Sequence, residues 1–548
     1  MKKITSVVAI AAAAILLTAS AWAGVIAVDT TWKGEIYVDD DLRVLPGVTL
    51  TVAPGSRIKF AQALSTKTEP ANWSPETELS VEGALIVEGS EREPVALIPE
   101  ENSWGGIVVA PGGRASIAYT RLERALEGVL VSGGEAELHH AQFNNCDYGM
   151  VLGPDSIVTT TAVTINHPKV GIVDMRETPP YLPGVEIQLA EDAERLYFKG
   201  ERARLPEPPA LAEPAGGSRE LIGEYTVEGN ETWRGEVIIS GRVTVPPGST
   251  LTIGEGTRVS FRKRDSNDDG LGEGEILVTG GIRVLGTKAA PVIFKSAEDA
   301  PAPGDWDKLS IISSMDEENV VRNAIFMDGL QALHAHFSML AVDKVHFTNN
   351  IRALQFQESE RTTVRDSVFV GNKQAVRFRD STVEISGCLF EGNDYTLHAF
   401  RSEIIFDNNR VYDTRLGGIL AKEAILSMKG NEIAGGRIGV RARGEGANLS
   451  IIDNSILGSV ETGLSTSYIE SATLTANKIK GAGLDLVGVE GSPMTLEANT
   501  LGDFGRHAIH LKAGAEITLK DNVWDIKIPI DDAIFDEHDP GGSGRVFR

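Results

Sequence analysis

Down the stretch Val342–Trp524 apolar residues return in short alternating runs, and one triplet recurs every 21 to 23 residues. Its later copies are Asn409-Arg410-Val411, Asn431-Glu432-Ile433, Asn454-Ser455-Ile456, Asn477-Lys478-Ile479, Asn499-Thr500-Leu501 and Asn522-Val523-Trp524. The earlier copies put Val345, Ser367 and Cys388 where the Asn sits. Elsewhere, runs such as Leu50-Thr51-Val52 and Leu251-Thr252-Ile253 alternate apolar and polar residues between Pro-Gly and Gly turns. That is the pattern of short strands joined by tight bends. A fixed period of this size means stacked units, each too small to bury an apolar face alone. Stacking in register turns the last residue of each triplet into an inward column: Phe347, Phe369, Phe390, Val411, Ile433, Ile456, Ile479 and Leu501. The Asn column falls at a bend, where each amide can bond its own backbone and the amide above or below it.

A second, longer repeat sits over the first. Thr31-Trp32-Lys33-Gly34-Glu35 returns 201 residues later as Thr232-Trp233-Arg234-Gly235-Glu236, and the match runs without a gap to Phe60 and Phe261. Trp104 and Trp306 continue it further on. The chain therefore predicts two tandem lobes, 24–200 and 221–548, joined by a Pro-rich linker at 201–220 that cannot supply ladder donors. A stack needs its first coil covered, so Trp32 and Trp233 read as parts of two caps. The competing reading puts them on a ligand surface as stacking platforms.

The Asn ladder and apolar columns resemble right-handed parallel β-helix repeat proteins, the pectin-lyase-like fold. The Thr-Trp-x-Gly-Glu and Pro-Gly-x-Thr-Leu-Thr blocks are similar to the entry segments of exported bacterial proteins of this kind. The ending, from Asn522-Val523-Trp524 to Val546-Phe547, is similar too, although Asp525 stands where that family often has Gly. The resemblance implies an all-β fold: a right-handed parallel β-helix solenoid of two lobes with coils of ~21–23 residues. A leucine-rich-repeat horseshoe shares the period, but its regular Leu-x-x-Leu-x-Leu units are missing.

Charge and targeting narrow the function. Residues 1–23 read as a signal peptide, with Lys2 and Lys3, the apolar run Val7–Leu17 and a final Ala21-Trp22-Ala23. Export to the periplasm or the exterior is expected. No later apolar run is long enough to span a bilayer, which takes roughly 18 residues or more. Losing Lys2 and Lys3 takes the formal net charge from −25 to −27. So acidic a chain lacks the basic surface that nucleic-acid binding needs. The two cysteines, Cys146 and Cys388, read as buried free thiols, because Cys388 occupies an inward ladder position.

Three clusters carry candidate chemistry. Asp265-Ser266-Asn267-Asp268-Asp269-Gly270 places oxygen ligands at alternate positions before a turn, as a calcium loop does; Asp265, Asn267, Asp269 and Glu273 would be the ligands. Calcium is the one cofactor the sequence suggests. His334 and His336 lie on one strand face. In the coil register they continue into Arg377 and Arg379, His398, Arg441 and Arg443, then His510, with Leu420, Ser465 and Asp485 as interruptions. Such a stripe suits an acidic polysaccharide or another cell-envelope component. The acid-pair and arginine signatures of enzymes with this fold are not assembled. A binding or structural protein is thus the leading expectation, with a polysaccharide lyase or glycoside hydrolase as the alternative.

Overall fold

The computed structural model describes residues 22–61, 77–153, 156–174, 176, 182–188, 194–198, 216–266, 271–315, 319–536 and 546–547. The expected signal peptide, apart from its last two residues, lies outside them, as does most of the expected linker, 201–215. Ser218–Thr226 forms a strand that pairs in parallel with Glu236–Val245, so the ladder starts before residue 221. The chain divides into two compact units, Met1–Leu196 and Tyr197–Arg548. Among the described residues no helix is long and apolar enough to cross a membrane.

In the second unit each coil contributes three short strands. One coil holds Thr362–Arg365, Val368–Val370 and Gln374–Arg379; the next holds Thr382–Ser386, Leu389–Glu391 and Tyr395–Phe400. Each strand pairs in parallel with its counterpart in the next coil. The strands assemble into a 26-stranded and a 14-stranded sheet among the described residues. The fold is the expected right-handed parallel β-helix.

Many of the bends share one design. A residue in the left-handed region turns the chain, and the next residue points a polar side chain inward: Asp366 before Ser367, Gly371 before Asn372, Asp380 before Ser381. A bend leaves a backbone N–H without a sheet partner, and burying it unpaired is costly. The polar residue one coil further on accepts it. Val345 N donates to Ser367 Oγ at 3.1 Å, and Cys388 N to Asn409 Oδ1 at 2.9 Å. The predicted Asn column continues from Asn409 to Asn522 in the same way. Two further ladders occupy the other corners. Asn350, Asn372 and Asn393 form one, and Ser314, Ser338, Ser359, Ser381 and Ser402 form the other.

Inside these corners the apolar columns form a continuous core. Phe294, Phe326, Phe347, Phe369 and Phe390 stack with ring centroids 4.4, 5.2, 4.8 and 4.7 Å apart. The predicted column down to Leu501 is buried throughout. The first unit has its own core. The 201-residue repeat of sequence becomes a repeat of packing: Phe60 stacks on Trp104 at 3.9 Å, and Phe261 on Trp306 at 4.3 Å. Trp32 and Trp233 are buried, which removes the reading of them as exposed ligand platforms. Cys146 and Cys388 are free and buried, and burial pushes both thiols up to about 12.

Candidate functional site

The longest strand of each coil in the second unit lines up into one face. Its residues alternate, so Leu333 and Ala335 point to the core and His334 and His336 point away from it. The pairings align His334, Gln355, Arg377, His398, Leu420 and Arg441 in one outward column. The column continues through Ser465 and Gly488 to His510. His336, Arg379 and Arg443 belong to the flanking column on one side. One expected interruption is corrected: Gly488, not Asp485, sits between Ser465 and His510. Asp485 lies one column over, opposite Thr462 and His507. Counting residues from strand to strand without the true start of Asp485–Glu490 had shifted it by three positions.

The column is not an open stripe. His334, Arg377, His398 and His510 are at most 9% exposed, His336 and Arg379 are half-buried, and only Arg441 and Arg443 are exposed. Coils about 4.8 Å apart leave long side chains to shield one another. Arg352, in the other flanking column, donates to Gln374 Oε1 at 2.8 Å and Gln355 Oε1 at 2.7 Å. Ser310 Oγ lies 3.2 Å from His334 Nδ1, while the His334 and His336 rings are 6.2 Å apart. His336 Nε2 is 3.5 Å from Glu358.

Cations surround the buried rings at the centre of this face, while Arg379 and Arg401 pair with Asp380 and Lys422 with Glu423. Burial pushes His398 down to about 3, and Arg377, Arg443, Arg352 and Lys422 add to the effect. Burial likewise takes His334 to about 3, assisted by Lys308, His336, Arg352 and Arg377. Both rings are therefore neutral near pH 7 and lie among permanent cations. Phe400 supports two more cationic contacts, with Arg401 at 4.2 Å and Lys422 at 5.0 Å from its ring.

A cavity of about 570 Å³ opens on the same sheet in its earlier coils, lined among others by Arg242, Arg264, Leu271, Glu273, Lys308 and Gln331. Glu275 sits in register between Arg242 and Lys308. Its carboxylate lies 2.9 Å from Arg242 Nε and 3.9 Å from Lys308 Nζ, and that ammonium is 2.7 Å from Asp307. Burial raises the Glu275 pKa despite the two cations. The expected calcium loop borders this cavity. Asn267 and Asp269 lie outside the described residues. Glu273 accepts from the Ser266 hydroxyl and, at 3.0 Å, from Ser266 N, with Arg264 3.9 Å away. Those bonds lower its pKa, the hydroxyl foremost.

One cluster escaped the sequence reading. His507 Nδ1 and His510 Nδ1 lie 2.9 and 3.0 Å from the two oxygens of Asp485, and Arg506 Nη2 is 3.1 Å from one of them. Burial pushes the Asp485 carboxyl up, but the bonds from His507, His510 and Arg506 outweigh it and hold the group below the usual carboxylate range. The signal was present as Arg506-His507-x-x-His510 one coil after Asp485.

No curated protein matches the sequence. Among solved structures, the periplasmic alginate epimerase AlgG aligns over 90% of this chain and 78% of its own, at 9% identity and a TM-score of 0.17. The catalytic unit of a thermostable GH87 α-1,3-glucanase from Streptomyces thermodiastaticus aligns over 91% and 63%, at 10% identity and a TM-score of 0.16. The tailspike protein 3 of bacteriophage CBA120 aligns over 89% and 56%, at 8% identity and a TM-score of 0.14. At these identities the likeness is one of fold alone. The family model for the right handed beta helix region matches residues 375–524, which hold the middle and later coils of the face described above. That region matches the family by sequence, and strand pairing carries the right-handed parallel β-helix fold beyond it.

Proposed function

We propose that the second unit binds an acidic polysaccharide, or another acidic component of the cell envelope, along this outward face. The observation that carries the proposal is the group of Arg352, Arg377, Lys422 and Arg443 around the buried His398, on a chain of formal net charge −25. Guanidinium groups hold carboxylates and sulfates through paired, charge-assisted hydrogen bonds. Coils repeating at about 4.8 Å offer a polymer a repeated set of contacts rather than one pocket. The basic, then apolar start of the chain fits export, which would bring the face to such a polymer in the periplasm or outside the cell. Titration calorimetry against polyuronate and sulfated glycans tests this. Arg441→Ala combined with Arg443→Ala, the two exposed guanidinium groups of the face, is expected to weaken binding at least ten-fold, and unchanged affinity would sink the proposal.

A second reading has its own observation. Glu275 is buried and shares Lys308 with Asp307 beside the cavity. A buried acid whose pKa is raised, close to a second carboxylate, is an arrangement that glycoside hydrolysis uses. Release of reducing ends from a glycan panel, abolished by Glu275→Gln, would favour this reading. Binding without cleavage would leave the first.

A further inference from the structure

We infer that Asp485, His507 and His510 form a binding site for a transition-metal dication of the zinc type, at the C-terminal end of the same face. The three residues come from two adjacent coils. Asp485 and His507 are register partners in neighbouring strands, and His510 follows His507 by three residues on its strand. One donor atom from each lies within 4.8 Å of the other two. Bonds of about 2.0–2.2 Å place tetrahedral donors roughly 3.3 Å apart; each imidazole Nδ1 already lies at 2.9 or 3.0 Å from one oxygen of Asp485, His507 from Oδ1 and His510 from Oδ2.

The donor set selects the ion. Calcium and magnesium take oxygen ligands, whereas two imidazoles and one carboxylate suit zinc, nickel, cobalt or copper. Three protein ligands leave a coordination position open, as in sites where the metal engages a further group. The surroundings are built rather than casual. Asp485 and His510 are buried, and the Phe535 ring stacks on His507 with centroids 4.9 Å apart. Phe535 itself belongs to Ile534–Asp536, a strand paired to the one carrying both histidines. Arg506 holds both oxygens of Asp485, at 3.1 and 3.4 Å, and so competes with the ion for this carboxylate. Removing Arg506 therefore separates the two readings: a metal site would bind its ion more tightly, and a purely structural ion pair would gain no affinity for an ion.

The test uses the full chain, stripped with a chelator and titrated with Zn²⁺ against a chromophoric competitor. One equivalent is expected, and Co²⁺ is expected to give visible ligand-field bands. His507→Ala and His510→Ala should each weaken Zn²⁺ binding at least ten-fold, while His334→Ala with His336→Ala should leave the stoichiometry at one. Arg506→Ala should tighten binding, because it removes the competing cation. Circular dichroism checks folding, and half-buried His507 also serves as His507→Gln if His510→Ala does not fold. No uptake by the parent at 100-fold excess Zn²⁺, or uptake unchanged in both His507 variants, would overturn the inference.

Discussion

The backbone N–H of Asn454 donates to Asn477 Oδ1 at 2.8 Å, and the Asn454 side-chain amide donates to the same oxygen at 3.1 Å. That amide also reaches the Met428 carbonyl at 3.1 Å and the Ile452 carbonyl at 2.9 Å. One side chain thus closes the polar groups of its own bend and ties three coils together. Asn454→Leu would leave the Asn431 N–H, now bonded to Asn454 Oδ1 at 2.9 Å, buried without a partner. Urea unfolding is expected to show a loss of about 1–3 kcal/mol. A loss below a few tenths would mean that the ladder is ornamental.

The left-handed residue before each rung makes a complementary prediction. Asn408, Gly430 and Asp453 suit that conformation, but Ala476 and Ala498 hold it at φ values of 57° and 56°. An L-residue with a Cβ is disfavoured there by about 1–2 kcal/mol. Glycine removes that cost and adds a smaller entropic one. Ala476→Gly, at an exposed position, is therefore expected to stabilise the chain by up to about 1 kcal/mol, read as a raised melting temperature.

These two positions show what was legible. A rung filled by Asn in six successive coils stands out of the sequence, so the fold, the period and the core column could be read directly. The other two ladders could not. One has three Asn rungs, and the other is mostly serine, a residue common in any turn. The site was legible in part for a similar reason. Strand alternation placed His334, Arg377, His398 and Arg441 in one column. It could not reveal that His334, Arg377 and His398 are buried while Arg441 is exposed, which depends on neighbouring columns such as that of Arg352 and Gln374. Asp485 falls in another column because the step between register partners varies by up to three residues, and such a slip reassigns a side chain.

The two buried histidines set a pH dependence. His334 and His398 are both pushed down to about 3 by burial, against about 6.5 for a free imidazole. Between those values the unfolded chain binds more protons than the folded one. The contribution is complete above about pH 6.5 and is lost as pH falls towards 3. Each ring adds a slope of up to about 1.4 kcal/mol per pH unit in that window. His398→Gln should flatten the fall in stability between pH 6 and pH 4 in parallel denaturant titrations. An unchanged slope would mean that the ring is not buried neutral in the folded chain.

Calcium at the acidic loop is a separate proposal from the histidine site, with Asp265, Asn267, Asp269 and Glu273 as ligands. The described part of the loop shows what the ion would have to displace. Glu273 is held by Ser266 and faces Arg264 at 3.9 Å, so binding requires that carboxylate to turn away from its own loop. A ligand carboxylate already held by its own loop favours weak affinity. Millimolar Ca²⁺ is accordingly expected to raise the melting temperature by a few degrees, and Asp269→Ala to abolish the rise. Arg264→Ala should enlarge it, because it removes a cation from the site. A parent chain whose melting temperature ignores Ca²⁺ would show that the loop is simply a solvated acidic turn beside the cavity.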